Sequence, residues 1–123
     1  MKKIFVGIHD IGYERVRLYL VPGTGAATFF LPDDKGITIM HVGADQEKFR
    51  KVIHSLLHEA QEMAMCRLGL AHYPAGALNA GTANCSFVLT HEQFDECCGR
   101  AADLLDTALP ALQRAWRKWK VKK

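Results

Sequence analysis

At 123 residues, with 49% apolar and 24% charged side chains, the chain has the composition of one globular domain, 1–123, and not of a disordered segment. No apolar run approaches the roughly 18 residues needed to span a bilayer, which excludes a membrane-spanning helix. The formal net charge of +3 is unevenly spread: 114–123 hold six basic groups and no acid, whereas the preceding 113 residues carry ten basic and 13 acidic groups.

Residues 3–8 form a short apolar run that ends at His9 and Asp10 with no small-residue cleavage site, so it reads as a first strand and not a signal peptide. A cytoplasmic location is the default expectation. Gly12 marks 9–14 as a turn, and the charged/apolar alternation of 15–21 is the period-2 sign of a half-buried strand. Pro22-Gly23-Thr24-Gly25 is turn chemistry, 27–31 is a third strand, 32–36 a loop and 37–42 a fourth strand. Short connections favour antiparallel neighbours, which predicts a meander of three to four strands.

The longest helical pattern runs over 45–69, with Asp45 as N-cap and Gly69 at its end. Phe49, Val52, Ile53, Leu56, Ala60, Met63 and Ala64 recur at helical spacing and form the face expected to lie on the sheet. Residues 70–84, rich in Ala, Gly and Asn, read as a long loop, and 85–89 as a short strand. Thr90 and Gln93 have the spacing of a capping box that opens a second helix. Pro110 is expected to break or kink that helix before a last segment over 111–120. The fold class is therefore α+β: an N-terminal antiparallel meander packed by a central long helix and a C-terminal helix, with a basic tail at 114–123.

Four cysteines, Cys66, Cys85, Cys97 and Cys98, make no Cys-x-x-Cys pair, which argues against a zinc knuckle and for free, mostly buried thiols.

The candidate chemistry is on the central helix. His58-Glu59-Ala60-Gln61-Glu62 differs at one position from His-Glu-x-x-His, in which two histidines one turn apart hold zinc and the glutamate polarises bound water. Glutamate also ligates zinc, so His58 and Glu62 form a candidate ligand pair with Glu59 as base. His54, one turn earlier, and His91, just after the Thr90 cap, are further candidates. At about 100° per residue, His54, His58 and Glu62 fall within about 80° of one another, on a stripe roughly 160° from the centre of the apolar face.

Residues 56–60 together with Thr90-His91-Glu92-Gln93-Phe94 resemble small phage and prophage proteins. The histidine–glutamate part also resembles the motif helix of minimal zincin-like metallopeptidase domains carried by mobile elements. That resemblance implies His58 as ligand, Glu59 as base, zinc as cofactor and the host-cell cytoplasm as location. Glu62 stands where the family has its second histidine, which sets peptidase activity against the resemblance.

In the tail, Trp116-Arg117-Lys118-Trp119-Lys120 interleaves aromatic rings with cations. The pattern suits phosphate contact with base stacking or an anionic membrane surface, but the slight overall basicity favours a final helix whose tryptophans dock on the core. The expectation from the whole is a non-enzymatic module of phage or prophage type acting through a protein partner, a homodimer being one assembly allowed. Zinc binding or zinc-dependent hydrolysis is the alternative, and nucleic-acid association through the tail the second alternative.

Overall fold

The computed structural model describes residues 2–29, 34–72 and 86–122. It is an α+β structure, with a four-stranded sheet followed by two helices. The strands are β1 (Ile4–Ile11), β2 (Glu14–Val21), β3 (Ala26–Phe29) and β4 (Thr38–Gly43). The helices are α1 (Phe49–Arg67) and α2 (His91–Val121). Between them β5 (Ala71–His72) pairs with β6 (Ser86–Phe87), and most of the predicted 70–84 loop lies outside the described residues.

The sheet order β1-β2-β4-β3 is not that of a simple antiparallel meander. β1–β2 and β3–β4 are antiparallel, but β2 and β4 run parallel. The cause lies in 22–25, which crosses the end of β4 and does not turn back beside β2. Three backbone bonds hold the crossing: Gly43 N–H to Gly25 O, Ala44 N–H to Val21 O and Asp45 N–H to Gly23 O, at 2.7, 2.8 and 2.9 Å. A Cβ at Gly43 would lie 2.5 Å from the carbonyl oxygens of Gly23 and Gly25, so only glycine admits this close approach. β4 thereby slots between β2 and β3.

β1 also runs on through His9 and Asp10, where a turn was expected. His9 is buried: its Nε2 donates to the Val6 carbonyl at 3.1 Å, leaving Nδ1 to accept from the Thr107 hydroxyl on α2 at 2.9 Å. The turn shrinks to Gly12 and Tyr13, with Gly12 at φ 63° as a tight hairpin demands.

Alternation along the strands sends Val16, Leu18, Leu20, Met40 and Val42 to one face, where they are fully buried. α1 and α2 both pack there. α1 contributes Val52, Leu56, Ala60 and Met63 to one apolar cluster, and α2 contributes Ala101, Leu104, Ala108, Leu112 and Trp119. The cluster therefore takes in residues from both ends of the chain.

Asp45 does not cap α1. The helix begins four residues later, after Lys48, which makes no side-chain capping bond. Asp45 instead accepts from Gly23 N–H at 2.7 Å and from the Trp119 indole at 3.1 Å, so its carboxylate organises the crossing. The Thr90 capping box forms as expected, with bonds of 2.8 and 3.2 Å. Pro110 does not end α2, whose 31 residues run through it to Val121. Pro110 has no N–H to offer the carbonyl of Asp106 one turn earlier, and both residues are exposed, so that carbonyl is not shut into the core. Buried side chains on both sides of the proline hold the two halves to one core. Cys97 is buried and Cys98 half-buried, neither in a disulfide; burial raises the Cys97 thiol above its ordinary range.

Candidate functional site

Two regions collect chemistry-bearing side chains. The first is the histidine–glutamate stretch of α1. Val52, Leu56, Glu59 and Met63 follow at steps of four, three and four, so Glu59 shares the packed face and is only 6% exposed. Its Oε2 accepts from the Thr28 hydroxyl on β3 at 2.5 Å. Burial pushes the carboxyl above the usual glutamate range; the Thr28 bond opposes this, and the charge of Glu62 adds to it.

His58 points outward, its side chain 60% exposed, with Nε2 2.6 Å from Glu62 Oε2 in an i,i+4 pair. The candidate donor atoms of His58, Glu59 and Glu62 all lie within 4.8 Å of one another. One imidazole and two carboxylates is a donor set that zinc accepts. Among the described residues, neither carboxylate is paired with a lysine or arginine. His54 and His91 are exposed and stand outside this cluster.

The second region is the end of the molecule where β1 starts and α2 finishes. Trp119 is 3% exposed and Trp116 half-buried; the Trp116 indole donates to Ala44 O at 3.1 Å and its ring lies 5.5 Å from that of Phe49. Both tryptophans dock inward, leaving the cations of the tail outside: Arg117 and Lys118 are exposed and Lys120 reaches back to 5.3 Å from the Trp116 ring. The Lys2 ammonium sits 4.8 Å from the Trp119 ring centre, and that of Lys3 4.3 Å from the Tyr19 ring centre.

From there an aromatic row crosses the sheet. Phe5, Tyr19 and His41 are register neighbours on β1, β2 and β4, with successive ring centres 5.6 Å apart. Their strand neighbours Val6, Leu18, Leu20, Met40 and Val42 point into the core, so the row lies on the face opposite the helices. Phe5 is 55% exposed and Tyr19 and His41 partly so. Burial, and then the Lys3 charge, hold His41 below the usual imidazole range.

The chain matches no family model, no curated protein and no solved structure. The resemblance to phage proteins and zincin-like domains therefore rests on its short motifs alone.

The burial of Glu59 was open to sequence reasoning, because seven residues from Val52 is two helical turns on the same face. The aromatic row was not, because it depends on the parallel β2–β4 register. Glu14 on β2 was likewise unmarked. It binds Arg67 of α1 at 2.8 Å and lies 3.9 Å from Arg100 of α2, tying both helices to the sheet. No described helix is long and apolar enough to cross a membrane.

Proposed function

We propose that this chain is a non-enzymatic binding module whose partner is nucleic acid. The observation that carries the reading is the Lys2–Trp119 contact at 4.8 Å, which brings the basic start of the chain to the basic end of α2. Lys2, Lys3, Arg114, Arg117, Lys118, Lys120 and Lys122 then belong to one pole. The Asp45 carboxylate at this pole is engaged with Gly23 and Trp119. Phosphates neutralised at such a pole release condensed counterions, which favours a polyanion over a compact protein surface. The mildly acidic remainder of the chain orients that polyanion toward the pole. A protein partner was the first expectation from the sequence, and the convergence of both chain ends moves the reading to nucleic acid. The burial of Glu59 supports a non-enzymatic role, since a general base must reach its substrate.

The test is fluorescence anisotropy with a labelled oligonucleotide. Charge reversal in a Lys118→Glu/Lys122→Glu variant is expected to weaken binding about tenfold or more at low salt, with unchanged circular dichroism. Equal affinity in the reversed variant would remove the reading.

A second reading is favoured by one specific observation, the cluster of His58, Glu59 and Glu62 within 4.8 Å. In it the three side chains hold zinc, with no hydrolytic role implied. Stoichiometric zinc after purification without chelator, lost in His58→Ala, is its expected signature; a melting temperature unmoved by added zinc would dismiss it.

A further inference from the structure

We infer that the nucleic acid bound at this pole is single-stranded, its bases stacking on Phe5, Tyr19 and His41 of the open sheet face. The inference rests on the nucleic-acid reading above and names the form of ligand it takes. Base faces in a duplex are already covered by their neighbours, so exposed rings add affinity only for unpaired bases. Three rings follow one another across three strands, 5.6 Å apart at each step, with Tyr19 tilted 50° to Phe5 and edge-on at 86° to His41, so unpaired bases meet them ring by ring and not on one flat surface. Both helices lie on the other face, and Phe5 at 55% and Ile8 at 42% remain exposed on this one.

Lys3 joins the row to the cations. Its ammonium lies over the Tyr19 ring, and the preceding residue covers Trp119 beside the basic end of α2. An incoming base replaces the Lys3 ammonium on the ring, which frees that charge for the adjacent phosphate. With His41 held below the usual imidazole range, its ring is neutral at physiological pH and stacks without a charge to desolvate.

The experiment titrates the full chain against labelled dT20, a mixed-sequence 20-base-pair duplex and poly-L-glutamate as competitor. Tighter binding of dT20 than of the duplex is expected, with a loss of about tenfold for each of Phe5→Ala and Tyr19→Ala. Those losses should leave the salt slope unchanged, because the rings contact no phosphate. Tyr19→Phe keeps the ring and should retain wild-type affinity, which separates lost stacking from a damaged fold. Equal affinity for strand and duplex, or ring variants that bind dT20 as wild type, would overturn the single-strand inference while the nucleic-acid reading stands. Absence of binding to both nucleic acids, or equal competition by poly-L-glutamate, would overturn both.

Discussion

The histidine–glutamate stripe of α1 and the cationic pole at the chain ends differ in what they ask of the fold. The stripe is local: four residues of one helix set its spacing, and its prominence in the sequence owes nothing to tertiary structure. The pole is assembled from segments more than a hundred residues apart, joined where Lys2 covers Trp119. Yet the local feature is largely absorbed by packing and pairing, with Glu59 against Thr28 and His58 against Glu62. The assembled one leaves cations and rings at the surface. Residues with catalytic names are thus poor guides until their neighbours are known.

Disrupting the pole's foundation gives the largest expected effect. Trp119→Ala removes a buried ring and one of the hydrogen bonds to Asp45, so a loss of about 3–5 kcal/mol is expected in urea unfolding. A variant within 1 kcal/mol of wild type would mean that the tail does not dock. Gly43→Ala comes next. Its methyl group has no room against the crossing carbonyls, and a loss of about 1–3 kcal/mol is expected from overpacking.

The stripe responds more weakly and in the opposite direction. Folding raises the Glu59 pKa, so the folded state holds this proton more tightly than the unfolded chain. Stability from this group is complete below about 4.5 and falls as pH rises through the folded-state value. Glu59→Gln keeps an acceptor for Thr28 and removes that decline, so it should match wild type at low pH and exceed it at neutral pH. A parallel pH–stability curve would show that Glu59 is not the source. His58→Ala gives the smallest change, within about 0.5 kcal/mol, because its partner pair is exposed on the histidine side.

The α+β class, the α1 apolar face and the Thr90 cap were legible because each rests on periodicity or spacing within one segment. Asp45 shows the limit of that legibility: it is a good cap by type, but Trp119, distant in sequence, claims its carboxylate. The parallel β2–β4 pairing was hidden for the same reason, since a four-residue link can turn back or cross over, and Gly43 allows the crossing. Pro110 misled because helix propensity is local while α2 is held by core contacts on both sides of it.

The central claim is that both ends of the chain form one nucleic-acid surface. It is tested most directly by the dependence of affinity for dT20 on salt, measured for wild type, for Lys2→Ala/Lys3→Ala and for Lys118→Ala/Lys122→Ala. With about 0.7 counterions released per strand phosphate contacted, each double variant should lower the slope of log K against log salt by about 1.4. A slope that falls for the C-terminal pair and not for the N-terminal pair would contradict a shared pole.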